Sequence, residues 1–134
     1  MTDIILSENR DGVLVVTFNR PEKRNAINTE MWVTLRETFR NAAEDNEVNC
    51  ILLCGAGESF CAGVDLASFG EADAGEEHPF ESAARAVVEF DKPLVAAVQG
   101  VAVGGGATVL FHADIVYVGE SLRMRLPFAS LGLV

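Results

Sequence analysis

Three consecutive glycines, Gly104, Gly105 and Gly106, follow the apolar run Leu94–Val98 and precede a segment of helical character. A strand that turns into a helix exposes backbone N–H groups without partners at the helix N-terminus, where the helix dipole favours negative charge. The run therefore predicts a site that binds an oxyanion or a phosphate group. The alternative is that the glycines only allow a tight strand-to-helix turn, and the run by itself leaves both interpretations open.

A second glycine-containing turn, residues 55–66, follows the apolar run at residues 50–54. If the two strands lie side by side, one backbone N–H from each turn can converge on a single carbonyl oxygen, as in the oxyanion holes of acyl-transfer and enolate-forming sites. The turn differs from a dinucleotide-binding fingerprint, because Phe60 replaces the third small residue. Neither glycine cluster continues into the Gly-Lys-Ser or Gly-Lys-Thr of a P-loop.

The segment 19–26 carries three cations, Arg20, Lys23 and Arg24, in a chain whose formal net charge is −10. Such a segment is either a solvated loop or a docking point for a phosphate-bearing ligand, and the local sequence does not decide between the two. The acidic balance argues against binding to nucleic acid or to an anionic membrane, since both require a basic surface.

The composition is that of one globular domain, with 134 residues of which 49% are hydrophobic. The three cysteines are an odd number, which favours a reducing compartment. His78 and His112 stand apart from each other and from the cysteines, so we predict structural or surface roles for them and no metal site. No stretch of this sequence resembles a leader or a membrane span, and we expect a soluble, cytoplasmic protein.

The elements that position these residues begin with two strands. Residues 4–6 and Val13–Phe18 are predicted to pair through a hairpin turn at Asp11 and Gly12. Residues 50–54 are predicted to form a short strand, and its continuous apolar character is typical of a strand buried on both faces.

Two helices are also predicted. The first begins at Thr29 with Asn28 as its cap. The second spans residues 81–90 and ends before Pro93. Helical spacing predicts that the first helix packs on the sheet through Met31, Trp32, Leu35 and Phe39. The predicted apolar side of the second helix consists of Ala84, Val87 and Val88.

Further strands are predicted at Leu94–Val98 and Ile115–Val118, with a mobile loop at residues 68–79 and a last turn at residues 128–130. Strands that alternate with helices are typical of α/β layered domains. The sequence therefore predicts a single α/β domain over residues 1–134.

Four motifs occur in order along the chain, at residues 19–21, 25–28, 60–66 and 98–106. They read Asn-Arg-Pro, Asn-Ala-Ile-Asn, Phe-Cys-Ala-Gly-Val-Asp-Leu and Val-Gln-Gly-Val-Ala-Val-Gly-Gly-Gly. Together they resemble the enoyl-CoA hydratase/isomerase, or crotonase, family. The resemblance implies an α/β fold built as a crotonase-like spiral of ββα units, of which this chain is the N-terminal part of the core.

The resemblance also implies roles for individual residues. The substrate would be an acyl-CoA thioester, with no cofactor beyond the coenzyme A that the substrate carries. Backbone N–H groups of Ala62 and Gly105 would hold the thioester oxygen. For Asp65 we expect a structural hydrogen-bonding role. The substrate-binding residues implied are Lys23, Arg24, Ala26, Ala62, Val64, Asp65, Leu66, Gly104, Gly105, Thr108, Pro127, Phe128 and Leu131.

The chain departs from hydratases of this family at two positions, where Thr108 and Phe128 replace the two glutamates that activate water. The departure resembles the Δ3,Δ2-enoyl-CoA isomerases, which use a single glutamate soon after this stretch, so the base is expected just beyond Val134. The alternatives are a non-catalytic acyl-CoA-binding or scaffolding relative, or another reaction on this scaffold such as hydration or thioester hydrolysis.

The resemblance finally implies an incomplete domain, because members of the family continue past this point into helices that complete the acyl pocket. We expect the 134-residue chain alone to be inactive and the full-length protein to form a homotrimer or hexamer.

Overall fold

The computed structural model describes residues 3–65, 77–127 and 129–130. The strands are β1 Ile5–Arg10, β2 Val13–Phe18, β3 Cys50–Gly55, β4 Leu94–Val98, β5 Val101–Val103, β6 Ile115–Val118 and β7 Arg123–Arg125. A five-stranded sheet has the strand order β1-β2-β3-β4-β6, and β5 and β7 form a separate two-stranded sheet. Among these described strands of the larger sheet, only β1 runs antiparallel to its neighbour. The helices are α1 Thr29–Glu44, α2 Pro79–Glu89 and the short α3 Gly105–Thr108, which continues as a 3-10 turn at Val109–His112.

The hairpin that joins β1 to β2 confirms the predicted turn. Asp11 and Gly12 both have positive φ angles, of 52° and 93°, as a two-residue turn matched to the strand twist requires. The Gly12 N–H donates to Oδ1 of Asn9 at 2.8 Å, which closes the turn from the strand side.

Helix α1 begins as predicted, because Oδ1 of Asn28 accepts a hydrogen bond from the Met31 N–H at 2.9 Å. The predicted sheet-facing side chains are all buried: Met31, Trp32, Leu35 and Phe39. They belong to one apolar cluster with the buried side chains of the sheet, and α1 packs most closely against α2.

Two predictions about burial were wrong. In β3 the side chains alternate, with Ile51 and Leu53 buried and Leu52 half-buried, because α1 and α2 cover only one face of the sheet in the described residues. In α2, Val87 is buried as predicted, but Val88 is 60% exposed and Ala83 is fully buried.

The second sheet was missed, because strands of three residues leave no periodicity to detect. After β4 the chain turns sharply at Gly100, whose φ of 61° and close contact with the Glu58 carbonyl exclude a side chain. This turn directs β5 away from the main sheet and towards the second glycine turn.

Strand β6 lies at an edge of the five-stranded sheet, and all of its side chains are exposed. Most of the predicted loop at residues 68–79, and Phe128 of the last predicted turn, lie outside the described residues. Among the residues that the structure describes, no helix has both the length and the apolar composition needed to cross a bilayer.

Candidate active site

The two glycine turns lie against each other, which is the arrangement that the hypothesis of a shared oxyanion site requires. Cys61 pairs with Ala102 in a parallel bridge. In this bridge the Cys61 N–H donates to the Val101 carbonyl at 2.9 Å, and the Val103 N–H donates to the Cys61 carbonyl at 3.0 Å. The turn after β3 therefore runs parallel to β5, and β5 leads into α3.

The glycines of these turns are required by backbone contact. Gly63 has a φ of 91°, and a Cβ there would lie 2.6 Å from the Val103 carbonyl oxygen. At Gly106 a Cβ would lie 2.7 Å from the Cβ of Cys61 and would overlap its carbonyl oxygen. Any side chain at either position would push the two turns apart.

The N–H of Ala62 is already used within the protein, which corrects the predicted donor. It donates to the Arg24 carbonyl at 2.9 Å, so it is not free to bind a ligand oxygen. Two residues later, Val64 pairs with Ile27 in a second parallel bridge. The bridge uses the Gly63 carbonyl and the Asp65 N–H, and the Val64 N–H has no acceptor in the part of the chain that is described.

The N–H of Gly105 is also without an acceptor among the described residues. It belongs to the first turn of α3, where the Ala107 and Thr108 N–H groups both donate to the Gly104 carbonyl at 2.9 Å. A Cβ built at Gly63 would lie 2.6 Å from the Val103 carbonyl oxygen and 3.7 Å from the Gly104 Cα, so the residue before Val64 is in close contact with the residue before Gly105. Val64 and Gly105 thus each have an unpaired backbone N–H, one in each of the two glycine turns.

An apolar cavity of about 110 Å³ lies next to Gly105, between α1, α2 and α3. Gly105 has no side chain, so its backbone forms the wall of the cavity on the side of the turn. A Cβ built at Gly105 would lie 3.5 Å from Cη2 of Trp32. The cavity is lined by Phe18, Ile27, Trp32, Leu35, Phe80, Ala83, Ala84, Val87, Gly105, Thr108, Val109 and His112.

The described lining of this cavity contains no carboxylate. The hydroxyl of Thr108 lies 3.4 Å from the Gly105 carbonyl, to which it donates, and it faces the cavity as a neutral group. His112 lies on the exposed rim of the cavity, whereas His78 caps α2 by accepting a hydrogen bond from the Phe80 N–H at 3.0 Å. Of the lining residues, the sequence predicted only Gly105 and Thr108 as site residues. The others come from separate elements, and only the tertiary packing of α1, α2 and α3 brings them around one cavity.

An ion pair holds the Val64 turn in place. Nη1 of Arg20 donates to Oδ2 of Asp65 at 2.8 Å and to the Ala26 carbonyl at 3.1 Å. Both charged side chains are largely buried, which strengthens the attraction relative to an exposed pair. Asp65 therefore has the structural role that we expected of it.

Asn25 joins the same loop to the turn after β3. Its side chain is fully buried; Oδ1 accepts from the Arg20 N–H at 2.8 Å, and Nδ2 donates to the carbonyls of Ala56 and Ser59 at 2.9 and 2.8 Å. Its φ of 59° is a left-handed conformation that asparagine tolerates better than most residues. The basic loop is thus bound to the turn that carries Val64.

Lys23 and Arg24 lie on the outer side of this loop, and both are exposed. Neither forms an ion pair with a carboxylate of the described residues. Because the Arg24 carbonyl accepts the Ala62 N–H, these cations stand directly beside the Val64 turn. The half-buried Ala26 follows on the same loop.

The remaining predicted site residues divide into two groups. Gly104 donates its N–H to the Arg125 carbonyl at 2.9 Å, and Pro127 is half-buried two residues further on. Leu66, Phe128 and Leu131 lie outside the described residues.

The thiol of Cys61 lies between the two turns but is not a nucleophile. It is fully buried, and this burial raises the pKa of Cys61 to about 12, against a smaller opposing effect of the Gly63 N–H. A thiol with this pKa carries almost no thiolate near neutral pH, which excludes attack by Cys61 on a thioester.

A mixed α/β sheet whose adjacent glycine turns expose backbone donors beside an apolar cavity defines a protein of the crotonase fold. Comparison with solved structures supports this assignment of the fold. A Magnetospirillum magneticum AMB-1 protein described as an enoyl-CoA hydratase/carnithine racemase superposes with a TM-score of 0.94 at 41% identity, covering 100% of this chain and 53% of that one.

The sequence comparisons give the family. The model of the enoyl-CoA hydratase/isomerase family matches residues 8–134. The 1,2-epoxyphenylacetyl-CoA isomerase of Escherichia coli K12 is 37% identical over 100% of this chain and 54% of its own length. The enoyl-CoA hydratase EchA19 of Mycobacterium tuberculosis is 35% identical over 96% of this chain and 51% of its own length. The chain belongs to the enoyl-CoA hydratase/isomerase family, and it spans about half the length of these relatives.

Proposed function

We propose that the full-length protein isomerises 3-enoyl-CoA thioesters to 2-enoyl-CoA thioesters through an enolate whose oxygen is bound by the N–H groups of Val64 and Gly105. The observation that carries the proposal is the pair of backbone donors without acceptors among the described residues, one on each adjoining turn. Val64 takes the place of Ala62, whose N–H is already bonded to Arg24.

The chemistry needs such a pair of donors. A thioester carbonyl makes the protons on C2 acidic, and removing one of them places negative charge on the thioester oxygen. Two rigid N–H groups aimed at that oxygen stabilise this charge, and they need no reorganisation during the reaction. Returning the proton at C4 completes the shift of the double bond without any water.

One carboxylate is enough for this reaction, and hydration needs more. In the described lining the position of one hydratase glutamate holds Thr108, whose neutral hydroxyl cannot accept a proton from C2 near neutral pH. We propose that the base is a glutamate that follows Val134 in the full-length protein, since the chain spans about half the length of its relatives.

The acyl group and the phosphates of the substrate also have complementary surroundings near the two donors. The acyl group would enter the apolar cavity beside Gly105. The phosphates of coenzyme A would bind to Lys23 and Arg24, which are exposed next to the Val64 turn without ion-pair partners in the described residues.

The test compares isomerisation of a 3-enoyl-CoA with hydration of a 2-enoyl-CoA by the full-length protein and by two variants. Gly105→Pro removes the donor and should lower the isomerisation rate by roughly 10²- to 10³-fold. Gly105→Ala is the matched control, because it keeps the N–H and its Cβ would fit 3.5 Å from the nearest atom.

Three outcomes would contradict the proposal. Hydration without isomerisation by the unaltered protein would reject the reaction. Equal rates for the proline and alanine variants, with circular dichroism confirming that both are folded, would reject the donor assignment. Tight binding of acyl-CoA without any turnover would favour the non-catalytic alternative.

A further inference from the structure

The direction of the Val64 N–H is set by the residues on either side of it. In the parallel bridge to Ile27, the Ile27 N–H donates to the Gly63 carbonyl at 2.7 Å. The Asp65 N–H donates to the Ile27 carbonyl at 2.9 Å. Successive peptide groups of a bridged segment point to opposite sides, so the N–H of Val64 points away from Ile27. Its aim therefore depends on how firmly Gly63 and Asp65 are held.

The two flanking residues are held in different ways. At Gly63 a Cβ would lie 2.6 Å from the Val103 carbonyl oxygen, so the backbone of Gly63 has no room to move in that direction. After Val64 no strand continues the pairing, because the bridge to Ile27 is an isolated one. The restraint on that side includes a side chain, that of Asp65.

One nitrogen of Arg20 bonds to both segments of the bridge. Its Nη1 donates to Oδ2 of Asp65, next to Val64, at 2.8 Å. The same Nη1 donates to the carbonyl of Ala26, next to Ile27, at 3.1 Å. The side chains of Arg20 and Asp65 are only 17% and 20% exposed, and hydrogen bonds between charged groups are roughly twice as strong as neutral ones. The ion pair therefore ties together the two segments that meet at the donor.

Arg20 is itself fixed by the loop that follows it. Its N–H donates to Oδ1 of Asn25 at 2.8 Å, and its carbonyl accepts the N–H groups of Lys23 and Asn25 at 3.0 and 2.9 Å. The neighbouring cations Lys23 and Arg24 are exposed and form no ion pair within the described residues. Of the three cations of this loop, Arg20 is thus the one directed at the turn that carries Val64.

We propose that Arg20 is a positioning residue, which acts through Asp65 to aim the Val64 N–H at the thioester oxygen. The proposal rests on the proposed function and adds to it a residue that does not itself contact the substrate. A misplacement of about 1 Å at a reacting centre can lower a rate by about 10²-fold. Losing the ion pair should therefore lower kcat by about 10-fold. It should change KM little, because the donor bonds most strongly to the charged enolate oxygen.

The first test is a double-mutant cycle on the full-length protein, with kcat and KM for a 3-enoyl-CoA as readouts. Arg20→Met removes the donor and should lower kcat by about 10-fold, whereas KM should stay within about 3-fold. Asp65→Asn keeps the shape of the acceptor and removes its charge, so it should lower kcat by about 3-fold. In the double variant kcat should equal that of Arg20→Met, because the charge of Asp65 then has no partner in Arg20 to hold.

Lys92→Met is the matched control for a loss of stability. Nζ of Lys92 donates to the carbonyls of Ala42, Asp45 and Val48, each at 2.8 Å, and Lys92 lies outside the lining of the cavity beside Gly105. This variant also replaces a hydrogen-bonded cation by methionine, so it should lower the urea midpoint as Arg20→Met does. It should leave kcat unchanged.

A spectroscopic readout reports the aim of the donor without turnover. Butyryl-CoA does not react, and the C=O stretch of its thioester, labelled with carbon-13, moves to lower wavenumber when N–H groups bond to the oxygen. Infrared difference spectra of the bound ligand measure this shift. We expect it to be about halved in Arg20→Met, where one of two donors is misaimed, and to be unchanged in Lys92→Met. If Arg20→Met does not fold, Asp65→Asn replaces it and should show a smaller decrease of the shift.

The outcomes separate this proposal from the proposed function. Unchanged kcat and an unchanged carbonyl shift in folded Arg20→Met, with isomerisation by the unaltered protein, would overturn the role of Arg20 alone. An equal loss of kcat in Lys92→Met would also overturn it, because stability would then explain the effect. So would losses of kcat that multiply in the double variant. If the unaltered protein does not isomerise 3-enoyl-CoA, the proposed function fails, and the carbonyl shift still tests Arg20.

Discussion

Asn25→Asp replaces the buried Nδ2 donor of Asn25 with a carboxylate oxygen, which is an acceptor, and leaves the shape of the side chain almost unchanged. The aspartate has the same shape and tolerates the left-handed φ of 59°. Its carboxylate would still accept from the Arg20 N–H. The two carbonyls that Nδ2 now serves, those of Ala56 and Ser59, would instead face a carboxylate oxygen.

The cost follows from these three contacts. Two carbonyls lose their donor, that of Ser59 in a buried contact and that of Ala56 in a part-buried one, and each loss costs about 1–3 kcal/mol. The site is fully buried, so water does not replace the missing donor. We therefore expect Asn25→Asp to lower the free energy of unfolding by about 4 kcal/mol near pH 8.

The variant should also become dependent on pH. Facing two carbonyls without solvent raises the pKa of the new carboxyl above the value of about 3.9 that it has in the unfolded chain. A raised folded-state pKa contributes stability that is present below the unfolded pKa and is lost as pH rises through the folded pKa. The deficit should therefore be smallest near pH 4 and largest near pH 8.

The measurement is urea unfolding of the full-length protein followed by circular dichroism at both pH values. Asn9→Asp is the control. The Asn9 amide also accepts one N–H, and it donates to one carbonyl instead of two, at an exposed position where water can replace the donor. The control should lose less than about 1 kcal/mol. If the loss in Asn25→Asp exceeded that of the control by less than about 1 kcal/mol, the stabilising role that we assign to the Asn25 hydrogen bonds would be refuted.

Two further predictions concern the contact between the glycine turns. Gly106→Ala places a methyl group against the Cys61 backbone and should lower the free energy of unfolding by about 2–3 kcal/mol. The control Gly119→Ala, where the nearest atom to a Cβ lies at 3.7 Å, should lower it by less than about 0.5 kcal/mol. Equal unfolding midpoints for the two variants would contradict the close contact at Gly106. Burial raises the pKa of Cys61 to about 12, so its thiol should resist Ellman's reagent at pH 8, whereas the half-buried cysteines of β3 should react. Peptide mapping identifies the labelled cysteines. Labelling of Cys61 in the folded protein would contradict this prediction.

Local physical chemistry made the fold and the family predictable from sequence. The Asp11-Gly12 turn and the Asn28 cap depend on residues within a few positions of each other, and both formed as predicted. The glycines of the two turns also carry a local signal, since only glycine allows the backbones to touch. Strands β5 and β7 escaped prediction because three residues are too few to show a period.

Long-range contacts determined which groups at the site are free. The sequence indicated two glycine turns with a donor each, but whether Ala62 or Val64 has the unpaired N–H depends on the Arg24 carbonyl and on the bridge to Ile27. Helical spacing correctly predicted that Trp32 is buried. That its Nε1 has no hydrogen-bond acceptor among the described residues depends on all the elements that pack around it. Sequence by itself determined where glycines bend the backbone, and the tertiary structure decided which donors remain unpaired, because a hydrogen bond is satisfied by whatever lies nearest in space.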